Sequence, residues 1–428
     1  MPDQDAATQG WMTKPTHRAW LVRQSEQLLD FFRPTLDAEG RFIELDDEGQ
    51  KLDLGGAGRD DSLQQVLNVA RTTHSYAIGE LLGVPACAPI VERGLQALWD
   101  EHRDPQAGGY FQSVDSSGPR DTTKAAYSHA FVLLAASSAM AAGHDSRDLF
   151  TDVCQVLDEH FWSDDVGATR ESFTRNWEEV EPYRGANSNM HLCEAYLAAA
   201  DATGDRLFSN RAQRIAALVI NDKARANQWM LPEHFDVQWH PQLDYNHDRL
   251  DDPFRPYGVT IGHLLEWSRL TLSTWLAGDR TDDWMKEVST ELFDRAVAVG
   301  WDTRLGGLSY TVDFDGSAAN PDKYWWPVAE GIAASATLLQ VTGEMKYETW
   351  YRKFWDFAGQ HFIDHARGGW YAELDPSNRR KFGPWHGKPD LYHTLQCSLL
   401  PLLPPALSLA GALRDFSGDI YDRPTLAR

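Results

Sequence analysis

The chain lacks most of the features that mark the commoner functional classes. Its four cysteines, Cys87, Cys154, Cys193 and Cys397, stand far apart in 428 residues and form no C-x-x-C pair. That pattern suggests neither a disulfide framework nor a structural zinc site, and it fits a reducing compartment. Positive charge is scarce as well: 40 Lys and Arg stand against 63 Asp and Glu, a net charge of −23 with no basic cluster. Such a surface repels phosphate backbones, so no nucleic-acid partner is expected. Long apolar runs are missing. The longest, SLLPLLPPALSLAGAL from Ser398, is broken by three prolines and is too short to span a bilayer. The opening MPDQDAATQGWMTKPTH has no charged-then-apolar leader pattern. A cytoplasmic, non-membrane protein is expected. There is no dinucleotide fingerprint and no G-x-S-x-G, and the Gly-rich LDLGGAGRDD lacks the Lys-Ser/Thr ending of a phosphate loop.

Aromatic residues are plentiful, with 17 Trp, and there are 15 His. Many tryptophans sit beside polar residues, as in YWWPVAE (which holds Trp326), GPWHGKPD and EHFDVQWHPQLDYNHD. Flat faces next to hydrogen-bonding groups suit a ligand that has both C–H faces and hydroxyls, such as a sugar.

A repeat lies in the loops. GRFIELDDEGQ, GGYFQSVDSSG, GATRESFTRNW, GGLSYTVDFDG and GGWYAELDPSN each place a Gly before an alternating stretch and a polar turn, with QWMLPEHFDVQW as a degenerate sixth copy. Each reads as a short hairpin. From Gly40 to Gly368 the period averages roughly 66 residues, and each interval holds two helical segments. Examples are AYSHAFVLLAASSAMAAG, NMHLCEAYLAAADATG and PVAEGIAASATLLQVTG, each ending at Gly. Six such units predict an all-α fold, an (α/α)6 barrel of helical hairpins with short β-hairpins in the loops at one rim. It is expected as one domain over residues 17–414, with tails at 1–16 and 415–428.

Polar residues recur in one phase of this repeat. His191 lies 24 residues past Gly167, Glu330 lies 23 past Gly307, and His393 lies 24 past Gly369. Tyr127 follows Gly109 by 18, Arg71 follows Gly40 by 31, and His263 follows the degenerate unit. Each stands near the start of an apolar, small-residue helix, so Arg71, Tyr127, His191, His263, Glu330 and His393 are expected to converge on one mouth of the barrel. Glu194 and Glu266 each follow a histidine by three and share its helical face. Each is either an ordinary helix-surface partner or a carboxylate that orients its imidazole. No metal is expected: bundle metal sites order the pair as Glu-x-x-His, and no H-E-x-x-H is present.

The segments NSNMHLCEAYLAA, LPEHFDVQW, DYNHDRLDDPFRPYGVTIGHLLEWSRL, YWWPVAEG and KPDLYHTLQC resemble the motifs of the N-acylglucosamine 2-epimerase superfamily over about residues 20–410. Within it, NMHLCEAYL and PFRPYG are most similar to the branch of bacterial mannose and sulfoquinovose isomerases. Ile261 stands where that branch often has Pro. The resemblance implies an (α/α)6 barrel, a free monosaccharide as substrate and no metal or nucleotide cofactor. It implies catalytic roles for His263 and His393, with Glu266 beside them. Arg71, Asn187, His191 and Glu330 match other motif positions, and Tyr127, Glu194 and Trp326 complete the expected substrate-binding set.

An aldose–ketose isomerase, here for D-mannose and D-fructose, must open the sugar ring, take the proton from C2, hold an enediol(ate) and return the proton at C1. Histidine suits both proton steps because its pKa lies near neutrality. A 2-epimerase of mannose or cellobiose type would use the same histidines. A sulfoquinovose isomerase would need a further cation, for which Arg255 is a candidate. A glycoside hydrolase would need two facing carboxylates, and a non-catalytic sugar-binding protein would bind without turnover. A monomer or small homo-oligomer is expected.

Overall fold

The computed structural model describes residues 10–52, 62–389 and 391–421. Of the segments expected as tails, residues 1–9 and 422–428 lie outside the described residues, as does LDLGGAGRDD beyond Leu52. Trp11–Thr13 form a 3-10 turn with Met12 buried.

Among the described residues the α-helices run α1 Pro15–Phe32, α2 Val66–Leu81, α3 Ala88–Ala97, α4 Ala126–Ala141, α5 Arg147–Val156, α6 Ala186–Thr203 and α7 Arg206–Ala216. They continue with α8 Ile261–Ala277, α9 Trp284–Gly300, α10 Trp325–Thr342, α11 Met345–Phe357, α12 Tyr392–Leu399 and α13 Leu409–Asp415. Helices α2, α4, α6, α8, α10 and α12 form an inner ring, each packed on the next and α12 returning to α2. Around them α3, α5, α7, α9 and α11 each back the inner helix that precedes them, and α1 backs α12. This is the six-fold helical barrel that the repeat implies.

Composition assigns each helix to its ring. Nearly every residue of α4, AYSHAFVLLAASSAMA, is buried, and its Ala and Ser let neighbouring helices approach closely. The outer α7, RLFSNRAQRIA, buries Phe208, Ala212, Ile215 and Ala216, while its arginines face outward. Helices α6 and α10 stop at Gly204 and Gly343, whose φ of 74° and 73° is the left-handed stop that glycine takes without strain. Four outer helices widen into π turns at the same place in the repeat: Leu98–His102, Leu157–Phe161, Ala217–Ala224 and Ala358–Phe362.

The rim is built from the predicted hairpins. A two-residue strand precedes each of five inner helices and pairs antiparallel with the loop of the following unit. Gln64–Gln65 meets Val114 and Ser113, and Lys124–Ala125 meets Phe173 and Ser172. Arg184–Gly185 meets Phe235 and His234, Val259–Thr260 meets Val312 and Thr311, and Lys323–Tyr324 meets Leu374 and Glu373. The degenerate copy is a true copy: the bridge Phe235–Pro241 has the same six-residue offset as Phe173–Glu179 and Leu374–Arg380.

Three of these loops are pinned in the same way. Asp104, Asp302 and Asp364 each accept N–H bonds from the second and third residues after them. Each then takes a Lys ammonium on its other oxygen: Lys124 at 3.2 Å, Lys323 at 3.2 Å and Lys388 at 2.9 Å. The far end of the ring is covered by α13, which packs on α2, α4 and α6.

The segment around residues 402–420 is held by α1. The buried Arg18 guanidinium donates to the carbonyls of Leu402 at 2.8 Å and Ile420 at 2.7 Å. No helix among the described residues is long and apolar enough to cross a membrane.

Candidate functional site

Inner helices start at the rim, so a residue's position along its helix sets its depth. The second and third residues form an upper tier: Tyr127 on α4, Asn187 on α6, His263 on α8, Trp326 on α10 and His393 on α12. The sixth residues, one turn deeper, are Arg71 on α2, Phe131 on α4, His191 on α6, Glu266 on α8 and Glu330 on α10. The ninth residues, a further turn down, include His74, Glu194 and Arg269. The upper two tiers open into a pocket of about 480 Å3, open mouth included. All the predicted site residues line it except Glu194 and Glu330. Pro253, Phe254, Pro256, Tyr310, Trp325 and Trp385 complete the wall.

In the upper tier, two imidazoles are each held by a buried carboxylate. His263 Nδ1 lies 3.0 Å from Glu233 Oε1, and His393 Nδ1 lies 2.8 Å from Glu330 Oε1. Such pairing sets the tautomer, with Nδ1–H donating to the carboxylate. Both rings pack on Trp326, their centroids 5.3 and 5.7 Å from the indole. The indole can lie there because Gly262 has no side chain; a Cβ would come 2.1 Å from the Trp326 ring.

Beneath them the charges converge on Arg269. Its Nε donates to Glu330 Oε2 at 3.2 Å, and its Nη2 lies 3.6 Å from Glu194 and 3.8 Å from Glu266. Burial opposes the charge on Glu330, but Arg269 and the His393 contact outweigh it and hold this carboxylate below its usual range. Glu194 is treated the same way: burial is outweighed by His191 and Arg269, and the Tyr392 hydroxyl donates to it. Glu266 goes the other way, because burial and the neighbouring Glu330 push it well above the usual carboxylate range. Among the described residues neither of its oxygens has a hydrogen-bond donor. His191 Nδ1 lies 3.8 Å from both Glu194 and Glu266, and burial depresses this imidazole to about 4, so it is neutral at pH 7. Arg71 donates to the Tyr127 hydroxyl at 3.0 Å and lies over the Phe131 ring at 4.4 Å.

Two triads, His191–Glu194–Glu266 and Glu266–Glu330–His393, bring their donor atoms within 4.8 Å of one another, the spacing a cation would use. Arg269 stands among these carboxylates as their common counter-charge. In the second triad the His393 nitrogen and both Glu330 oxygens already bond to each other or to Arg269. The donor set therefore fits a guanidinium better than a metal.

Three expectations need correction. Glu330, expected among the substrate-binding residues, does not line the pocket; its oxygens are held by His393 and Arg269. Glu266 does not orient His263, although it follows it by three on one face: Nδ1 turns outward to Glu233 in the rim loop. Glu194 does not line the sugar pocket. It lies one turn below His191 and, with Arg269 and His74, faces a second cavity toward the far end of the barrel.

Glu233 and Arg269 are the residues of the candidate site that sequence reasoning missed. A signal for Glu233 exists in the repeat. Gln112, Glu171 and Glu233 each directly precede a rim strand, and each backbone carbonyl accepts the first N–H of an inner helix. Their side chains reach the third residue of the next inner helix: Ser128, Ser188 and His263 respectively.

The model of the family described as N-acylglucosamine 2-epimerase (GlcNAc 2-epimerase) matches residues 40–397. A D-mannose isomerase of Thermobifida fusca is 44% identical over 407 residues, covering 94% of this chain and 98% of that protein. A D-mannose isomerase of Pseudomonas cannabina pv. alisalensis is 43% identical over 410 residues, covering 94% and 97%. A solved crystal structure of D-mannose isomerase superposes with a TM-score of 0.83 at 31% identity, covering 90% of this chain and 97% of that one.

Proposed function

The chain belongs to the N-acylglucosamine 2-epimerase family, and on that premise we propose that it is an aldose–ketose isomerase interconverting D-mannose and D-fructose through a cis-enediol(ate). It acts on the free monosaccharide as a cytoplasmic monomer or small homo-oligomer, in one domain over residues 17–414.

The observation that carries the chemistry is the pair of carboxylate-held imidazoles at one pocket, both packed on one indole. With Nδ1 of each ring committed to a carboxylate, each imidazole reacts through Nε2. His393 takes the proton from C2 and returns it at C1. His263 assists ring opening or serves as the second acid and base. Glu330, kept ionised by Arg269, stabilises the His393 imidazolium that forms when the C2 proton arrives. Arg71 and neutral His191 stabilise charge developing on the enediolate oxygens. Trp326 offers its face to the sugar's C–H groups, and Tyr127 and Asn187 contribute hydrogen bonds near the mouth.

The mouth favours a neutral sugar over a sulfonated one. Pro253, Phe254 and Pro256 line the pocket, but Arg255 between them does not. Its guanidinium pairs with Glu181 at 2.7 Å and stacks on Tyr183 at 4.1 Å.

Proton NMR of the protein with D-mannose in D2O containing EDTA tests the reading. Fructose is expected, and it should be lost in both His393→Ala and His263→Ala. Glucose appearing before fructose would make the protein a 2-epimerase. No new sugar and no exchange at C2 would remove mannose as the substrate.

A further inference from the structure

We propose that Glu266 is the proton relay between the two substrate oxygens, one carboxyl oxygen giving a proton to O1 while the other takes one from O2. This rests on the isomerase reading above and adds to it the step that the histidines do not perform.

The geometry sets Glu266 apart from the other buried carboxylates. Glu233 holds His263; Glu330 is shared by His393 and Arg269; Glu194 receives the Tyr392 hydroxyl. Glu266 alone of the four has both oxygens without a donor among the described residues, and it is the one of the four that lines the sugar pocket. His191 Nδ1 and Arg269 Nη2 are each 3.8 Å from its Oε1, too far for a hydrogen bond.

Charge counting points the same way. Glu194, Glu266 and Glu330 all lie within 4 Å of the one guanidinium of Arg269. Three ionised carboxylates cannot share one buried cation at this spacing without a large penalty. Glu330 and Glu194 have donors that favour the ionised form. Glu266 has none, and it is the one pushed toward the neutral acid.

A neutral carboxyl with two open oxygens suits the bookkeeping of isomerisation. Converting an aldose to a ketose moves two hydrogens, one from C2 to C1 and one from O2 to O1. The imidazole of His393 takes the C2 proton, and the C–H electron pair forms the C1–C2 double bond. The carbonyl pair at C1 moves onto O1, which takes the proton of Glu266. In the second half the O2–H proton passes to the other oxygen of Glu266 and C2–O2 becomes the carbonyl. The enediol pair then takes the proton back from His393 at C1. Glu266 ends neutral, with its proton on the opposite oxygen, and resets through solvent when the product leaves. Exchange or epimerisation at C2 needs the carbon proton and a hydrogen bond to O1, which a neutral amide also donates, but it does not need the O2 proton to leave. The relay is thus the part of the site that belongs to isomerisation.

The experiment compares two rates in one NMR tube, for wild-type protein and Glu266→Gln with D-mannose in D2O: fructose formation, and loss of the C2 proton from the mannose pool. Glutamine keeps the shape and the neutral charge but cannot pass a proton through. Fructose formation is expected to fall about 100-fold while exchange at C2 stays within about tenfold. Equal loss of both rates, or loss of neither, would overturn the relay. Wild-type protein that exchanges C2 but forms no fructose would instead overturn the isomerase reading. A measurement needing no variant guards against misfolding: on wild-type protein the solvent isotope effect on fructose formation should exceed that on C2 exchange, and equal effects overturn the proposal.

Discussion

At the residue scale, the site depends on carboxylates that face histidines rather than substrate. Glu233 reaches His263 from a rim loop, at 3.0 Å and almost fully buried. Its loss should leave the pocket's shape intact but free the ring to adopt the wrong tautomer. Glu233→Gln is therefore expected to lower kcat about 100-fold with little change in KM, as steady-state kinetics on mannose would read. A change confined to KM would mean that Glu233 binds sugar instead. The histidines themselves were legible in the sequence because an imidazole near the start of a Leu- and Ala-rich helix is conspicuous. Glu233 was not, because a glutamate in a polar loop looks like surface. Arg269 was not, because an arginine two turns into a helix gives no sign that it faces the barrel axis rather than the solvent.

At the element scale, the tiers explain both the success and the error of reading the polar residues in one phase. Arg71, His191 and Glu330 share the sixth position of their helices, as the spacing from the loop glycines suggested. Tyr127, His263 and His393 do not; they stand a turn higher, with Phe131 in the equivalent place on α4 and Glu266, three residues after His263, in that on α8. Variable loop length between the glycine and the helix hid that three-residue offset. The Asp–Lys pins were hidden too, because their partners are 20, 21 and 24 residues apart and meet only after the hairpin folds. The close crossing of α8 and α10 gives a test. Gly262→Ala would drive a methyl group into the Trp326 ring, so the indole must move. The expected result is a stability loss of about 1–3 kcal/mol by denaturant titration, together with a larger fall in kcat than stability alone accounts for. Unchanged kinetics would mean that the position of Trp326 does not matter to turnover.

At the scale of the whole molecule, the barrel stores histidines in neutral form. Burial depresses His74, His102 and His191 to about 4 and His129 to about 3. Each has an ordinary value of 6.5 when the chain unfolds. The unfolded state therefore binds more protons below that value. The associated stability is complete above about pH 6.5 and is lost as pH falls toward about 4. At about 3 kcal/mol per group, four such groups sum to an amount comparable with the net stability of a typical domain. Urea midpoints measured from pH 7 to pH 4 should fall steeply across this interval, and replacing His129 by a residue that does not titrate should shallow the slope. A flat profile between pH 6.5 and 4.5 would contradict the assignment. The six-fold plan was readable from sequence because glycines and small-residue helices repeat. What closes the ring was not readable, since it depends on the first and last helices meeting.

That meeting has a consequence for how the chain is made. Because α1 backs α12 and Arg18 grips carbonyls at residues 402 and 420, the seam of the ring joins segments 384 and 402 residues apart in sequence. A nascent chain whose α12 has not yet emerged can stack its early units, yet it lacks the stave that carries His393. A product terminated before α12 is expected to be inert however well its other helices fold. The same seam can be moved: a linker from the segment around residue 420 to the start of α1, with a cut between another pair of units, would give a reordered gene encoding the same cylinder.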